Sequence, residues 1–215
     1  MKPWSRKRLG ILLISFIAIS AAGYDHPLDS YSIRDAYFLG TDRERCAQFL
    51  TQYVKTFPAS NSEPHVAQIE VRTPYVQVVV SSREHSVGYS ALQADQDYRK
   101  NPDTLQVRVQ ILFSTGFANR SVALPAPACQ GAIRMNSALD CFHDFQFHFS
   151  QAKPLHPNHS YGVPIYSLGD SSVFLGGDVW FTFPASGIAS SPLRVTVTPP
   201  DAHRISATFD LDALR

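Results

Sequence analysis

The sequence lacks the spaced motifs that mark metal sites and the common classes of enzyme. It contains only three cysteines, and it has no Cys-x-x-Cys pair, no His-Glu-x-x-His and no EF-hand loop. It also has no Gly-x-Ser-x-Gly and no glycine-rich phosphate loop. Because none of these spacings is present, the sequence predicts no catalytic residue and no cofactor.

The only long hydrophobic run lies at the N-terminus. The residues before it carry four positive charges: Lys2, Arg6, Lys7 and Arg8. Apolar residues then fill 9–22, and small residues end the segment at Gly23. This order predicts a secretory signal peptide over residues 1–23. As a helix the run spans about 21 Å, less than a hydrocarbon core of about 30 Å, so we expect no stable membrane span after cleavage.

Removal of this leader changes the charge of the chain. It takes four of the 19 basic residues and none of the 18 acidic ones, which turns the formal net charge from +1 to about −3. No later segment has a run of Lys and Arg. Nucleic acids and anionic membranes both attract clustered positive charge, so neither is expected as a partner. We expect a periplasmic or extracellular protein.

An exported chain with three cysteines leaves at least one thiol unpaired. A disulfide between Cys129 and Cys141 closes a short loop and contributes roughly 3 kcal/mol by restricting the unfolded chain. Cys46 lies on the apolar side of a predicted helix, which favours a buried thiol. We therefore expect the pair Cys129–Cys141, although the sequence leaves all three pairings open.

The chain after the leader divides into two parts by its hydrophobic period. Residues 24–64 are predicted to form a helical segment, with helices within 30–57 that begin at capping patterns and end before Pro58. Residues 65–215 mostly alternate between apolar and polar residues, apart from a short predicted helix near 90–100. Strands are predicted at 66–71, 75–80, 105–113, 145–149, 163–167, 172–175, 179–183, 193–198 and 205–211.

This succession of short strands predicts a mainly β fold. Turn residues separate the later strands and no helices alternate with them, which favours an antiparallel β-sandwich over a parallel α/β sheet. The N-terminal helical segment is then an appendage packed on the sandwich. The strand spacing over 105–215 resembles that of Ig-like extracellular sandwiches, although the Cys…Trp…Cys pattern of antibody domains is missing. The likeness concerns architecture and carries no function.

Aromatic residues near the C-terminal strands are the best candidate for a binding surface. Val179, Phe181 and Phe183 share one strand face, so Trp180 points to the other. With Tyr161 and Tyr166, Trp180 is predicted to form a platform for a carbohydrate or a partner protein. The competing interpretation is that the predicted helix over 42–57 covers Trp180.

Two further groups of residues are candidates for metal binding. His143, His156 and His159 lie within one short segment and are the candidate ligands for a transition metal. Asp170 and Asp178 lie beside glycines in predicted turns, where calcium is an alternative. Solvated histidines and ordinary turn residues explain both groups equally simply.

The sequence thus predicts an exported protein that binds or scaffolds without catalysis or a cofactor. Its expected partner is a protein or a carbohydrate, bound through the aromatic surface. A secreted hydrolase acting on polysaccharide or peptide is the first alternative. A metal-binding envelope protein that uses the histidines is the second.

Overall fold

The protein is mainly β, with two antiparallel sheets and a few helices. The computed structural model describes residues 24, 26–59, 64–85, 88–113, 138–167 and 174–215. The α-helices in this part are α1 (Ser30–Thr41), α2 (Arg43–Leu50), α3 (Pro74–Glu84) and α4 (Ala91–Lys100). The strands are β1 (Val54–Thr56), β2 (His65–Arg72), β3 (Thr104–Leu112), β4 (Gln146–Ser150), β5 (Pro154–Leu155), β6 (His159–Tyr166), β7 (Phe174–Pro184), β8 (Pro192–Thr198) and β9 (Ile205–Asp210).

The strands form a five-stranded sheet in the order β1-β2-β3-β7-β6 and a four-stranded sheet in the order β5-β4-β8-β9. The two sheets share one core. Phe147 and Phe149 of the smaller sheet each place their rings 4.8 Å from the ring of Phe181 in the larger one. Along β3, buried and partly exposed residues alternate without a break, as the period of two predicts. The larger sheet therefore has an apolar inner face and a polar outer face.

The helices enclose a second, smaller core. Its buried side chains come from α1 to α4 and the segment before α1: Leu28, Ile33, Ala36, Cys46, Tyr75, Val78, Val79 and Ala94. Helices α1 and α3 approach closely at Gly40, where a Cβ atom would lie 2.3 Å from the carbonyl oxygen of Val79. Asp29 and Ser90 cap α1 and α4 through their side chains, and α4 coincides with the helix predicted near 90–100.

Arg215 connects the helices to the segment that follows β2. Its carbonyl oxygen accepts hydrogen bonds from the Thr73 hydroxyl at 2.5 Å and the Tyr53 hydroxyl at 3.1 Å. Its guanidinium group lies 2.6 Å from the carboxylate of Asp35 on α1 and 4.9 Å from the ring centre of Tyr75 on α3. These contacts hold α1 and α3 in one position relative to β2.

The prediction of a strand over 75–80 is wrong, because these residues belong to α3. The Thr73 hydroxyl accepts a hydrogen bond from the Val76 N–H, and Pro74 occupies the first turn, so the helix has a regular start. Tyr75, Val76 and residues 78–80 are all buried. A helix that is apolar on most sides shows no amphipathic period, and its valines then suggest a strand.

Two other boundaries also differ from the prediction. The helix predicted to continue to residue 57 ends at Leu50, and Val54–Thr56 pair with β2 as the edge strand β1. The turn predicted at 176–178 is absent, since β7 continues through it. Gly176 has φ 149°, and a Cβ atom there would lie 2.1 Å from the carbonyl oxygen of Ile111, so close strand packing requires the glycine. Asp178 consequently lies within a strand.

Several predictions fall on residues that the structure does not describe. The leader over 1–23, Asp170 and Cys129 lie outside the described residues, so the signal peptide and the Cys129–Cys141 disulfide stay predictions. Cys46 is buried in the helical core, as expected. None of the helices in the described ranges has the length and apolar character needed to cross a bilayer.

Candidate functional site

The outer face of the five-stranded sheet carries a cluster of charged and aromatic side chains. Strand register places four of them side by side across neighbouring strands, in a central row: Glu70, Arg108, Trp180 and Tyr161. One flanking row contains Arg72, Gln106, Thr182 and His159. The other contains Gln68, Gln110, Asp178 and Val163. Residues that are distant in sequence thus form one continuous surface.

Ion pairs centred on Glu70 hold the middle of this surface. Glu70 is only 6% exposed; one of its carboxylate oxygens accepts a hydrogen bond from Arg72 Nε at 2.6 Å, and the other forms an ion pair with Arg108 Nη2 at 2.5 Å. Arg108 Nη1 lies 3.4 Å from Asp178, whose other oxygen accepts from Gln110 at 3.2 Å. Partly buried pairs of this kind have fixed geometry. We call the five residues that take part the Glu70 network: Glu70, Arg72, Arg108, Gln110 and Asp178.

Trp180 lies between the arginines of this network and Tyr161. The guanidinium carbons of Arg72 and Arg108 are 4.7 Å and 5.8 Å from the centre of the indole ring. Tyr161 is parallel to the indole within 7°, at a centroid distance of 6.2 Å, and His159 stacks on Tyr161 at 5.6 Å. Trp180 is half-buried and Tyr161 is 40% exposed. Guanidinium groups lie over the indole, and Tyr161 is the more exposed of the two rings.

Tyr166 lies apart from this pair. It is five residues further along β6, about 16 Å in an extended strand, and its ring contacts Phe174 at 5.9 Å. A register shift between Ile165 and Tyr166 interrupts the regular pairing there. The structure therefore brings together two of the three aromatic residues chosen from the sequence, Trp180 and Tyr161.

A cavity of about 460 Å³ lies beside the Glu70 network, between the C-terminal end of α3 and the outer face of β2 and β3. Its lining residues are Leu50, Val54, Gln68, Glu70, Arg72, Val80, Arg83, Glu84 and Arg108. Its volume lies in the range of about 300–1,000 Å³ that small-molecule sites occupy. Arg72 and Arg108 take part in both the cavity and the aromatic stack, so the two form one continuous site.

Sequence reasoning missed Glu70, Arg72 and Arg108. A signal was present, since polar residues alternate with apolar ones along both β2 and β3 and so mark a polar outer face. That signal does not show that these side chains meet one another. Their contact depends on the register between β2, β3 and β7.

The tyrosine hydroxyl at the exposed end of the stack is neutral at physiological pH. Partial burial raises the pKa of Tyr161 above its usual value, and the positive charge of Arg72 opposes this effect. A neutral phenol both donates and accepts a hydrogen bond. Tyr161 thus offers a ring face and a hydroxyl group at the same place.

The candidate metal ligands do not form a site in the part of the chain that the structure describes. His143 is exposed, with Nδ1 2.9 Å from the carbonyl oxygen of Asp140 and Nε2 3.2 Å from Asp144. His156 is exposed, and His159 stacks on Tyr161. Among the described residues, no three His, Cys, Asp or Glu side chains come together in a way that suits a metal ion.

Comparison with known proteins finds no matching family model, no matching curated protein and no matching solved structure. The evidence for a function is therefore the chemistry of the outer face itself.

Proposed function

We propose that this chain is an exported, non-catalytic binding protein of the cell envelope or extracellular space that binds a polysaccharide on the outer face of its five-stranded sheet. The observation that carries the proposal is the stack of Tyr161 on Trp180 at the edge of three rows of polar side chains. The scaffold for this surface is a β-sandwich, Ig-like in strand spacing, with the N-terminal helices attached. The leader over 1–23 supports export.

The side chains around the stack suit a ligand rich in hydroxyl groups. Gln68, Gln106 and Thr182 lie in the flanking rows. Among the described residues, none forms a hydrogen bond with these three side chains, so they can bond to a ligand. Amide groups donate and accept at neighbouring atoms, which matches adjacent hydroxyls on a sugar ring. The ring of Tyr161 offers an apolar surface for the C–H face of the same sugar.

A partner protein fits this surface less well. The buried centre of a protein–protein interface is typically depleted of charged residues, and each partner contributes about 800 Å². The centre of this face is charged, with Glu70, Arg72, Arg108 and Asp178 next to one another. Such a surface stays hydrated, and a polyhydroxylated ligand can replace the water hydrogen bonds one by one.

Neither alternative function gains support from the described residues. Glu70 and Glu84 line the same cavity, but arginines engage both oxygens of Glu70, which leaves neither free to attack or protonate a substrate. The three histidines do not form a ligand cluster. The proposal is therefore binding without catalysis.

A matched pair of substitutions tests the proposed surface. Tyr161→Ala removes the exposed ring of the stack, whereas Tyr166→Ala removes a ring of nearly equal exposure, 38%, elsewhere on the same strand. Binding to soluble polysaccharides is measured by affinity electrophoresis and isothermal titration calorimetry. We expect Tyr161→Ala to weaken binding at least about tenfold, as for a central aromatic contact, and Tyr166→Ala to leave it within about twofold.

Two results would contradict the proposal. One is equal binding by the two tyrosine variants, which would show that the stack contributes nothing special. The other is binding of no polysaccharide by the wild-type protein. Trp180→Ala serves as a further check: if it abolishes folding by circular dichroism, Trp180 is primarily a core residue.

A further inference from the structure

The cavity beside the Glu70 network has more hydrogen-bond donors than acceptors. The two terminal nitrogens of Arg72 donate to no other described residue, and Arg108 Nε is buried without an acceptor in the described part of the chain. Both carboxylate oxygens of Glu70 are already paired with guanidinium groups. A ligand that supplies acceptor oxygens can therefore pair with the free terminal N–H groups of Arg72 in this cavity.

The charges that line the cavity have the same bias. Three arginines (Arg72, Arg83 and Arg108) face two glutamates (Glu70 and Glu84), so the lining carries one more positive than negative charge. Asp178 contacts Arg108 from the neighbouring strand but does not line the cavity. Guanidinium groups present paired N–H donors that match the oxygens of a carboxylate or a sulfate.

We propose that this cavity binds the anionic group of an acidic sugar, so that the polysaccharide held on the outer face is an acidic one. The inference rests on the proposed function. Along the central row, Glu70 and Tyr161 are three strand spacings apart, about 14 Å. A chain of sugars that stacks on Tyr161 extends over Trp180 and places the charged group of a later unit beside Arg72.

Pairs of polymers that differ mainly in charge test the inference. Polygalacturonate is compared with its methyl ester, and dextran sulfate with dextran, by affinity electrophoresis with the purified protein. We expect the anionic member of at least one pair to bind at least about fivefold more tightly, and the preference to decrease in high salt. The pair that shows the preference identifies the group as a carboxylate or a sulfate.

Adjacent residues of opposite charge on α3 provide matched variants. Arg83→Gln and Glu84→Gln each change one charge on the cavity lining, and both side chains are exposed. Arg83→Gln should lower the preference for the anionic polymer roughly three- to tenfold, and Glu84→Gln should raise it by a similar factor. A purely structural effect of either substitution would not produce opposite shifts.

The possible results separate the two proposals. Equal binding of charged and neutral polymers overturns the inference and leaves polysaccharide binding in place. A preference that neither α3 variant changes, or that both change in the same direction, overturns the assignment to this cavity. Binding of none of the four polymers overturns the inference together with the proposed function.

Discussion

Removal of the Glu70 carboxylate is the most direct test of the structure of the site. Glu70 is buried, and it is the common partner of Arg72 and Arg108. In a Glu70→Ala protein, both arginines lose this partner while they remain mostly buried beneath α3 and beside Trp180. Asp178 still lies near Arg108, at 3.4 Å, and compensates only part of the loss.

The expected loss of stability follows from the burial of the three side chains. Removal of one partner from a buried ion pair typically costs about 3–5 kcal/mol, since it leaves an uncompensated charge. The arginines keep some contact with solvent, so we expect the lower end, about 3 kcal/mol. For a chain of this size, that loss lowers the melting temperature by about 6–12 °C. Glu70→Gln, which keeps one acceptor oxygen, should fall between wild type and Glu70→Ala.

Urea unfolding followed by circular dichroism measures these differences. Lys100→Gln is the control, because it removes an ion pair of 2.9 Å, to Asp97, between two exposed side chains on α4. We expect this control to lose less than about 0.5 kcal/mol. If Glu70→Ala is no more destabilising than Lys100→Gln, Glu70 is not buried between two arginines, and the described site is wrong.

Two further predictions concern the folded state as a whole. Burial raises the pKa of Tyr24, Tyr53 and Tyr75 above the ordinary value of about 10, so the folded state holds these protons more tightly than the unfolded state. The stabilising effect of these protons is therefore fully present below pH 10, and stability decreases above pH 10 by up to about 4 kcal/mol per pH unit. Phenolate absorbance should then rise together with the loss of the circular dichroism signal. Ionisation of all tyrosines while the protein stays folded would contradict this prediction. Gly40→Ala should destabilise the protein by about 1–3 kcal/mol in urea unfolding, since the added methyl group meets the backbone of α3. Gly187→Ala is the control: Gly187 has open space around it, so this substitution should change stability by less than about 0.5 kcal/mol. Equal effects of the two substitutions would contradict the close approach of α1 and α3.

The parts of the fold that sequence reasoning predicted well are those with one buried and one polar face. Strand β3 alternates without interruption, because one side faces the core and the other faces the polar surface. The same argument placed Trp180 opposite Val179 and Phe181, and the structure confirms that placement. Helix α4 was predicted because Ser90 provides a visible cap and the helix is exposed on one side.

Sequence reasoning failed for elements that are buried on most sides, because they have no polar face to contrast with an apolar one. Helix α3 is packed between other helices and the sheet, so its valines face apolar surroundings on most sides. Thr73 and Pro74 form a helix start that is visible in the sequence, but the strand prediction followed the β-propensity of the valines. At Gly176 a glycine that serves close strand packing was mistaken for a turn, because both uses require the absence of a side chain.

The sequence alone determined which side chains share a strand face, that α4 begins after Ser90 and that the first segment has the form of an export signal. These properties depend on neighbours within a few residues, and local order is enough to specify them. Tertiary structure decided that Glu70 lies between two arginines, that Trp180 lies between those arginines and Tyr161, and that a cavity opens beside α3. Such contacts join residues on four strands, and only the register between strands that are distant in the chain brings them together.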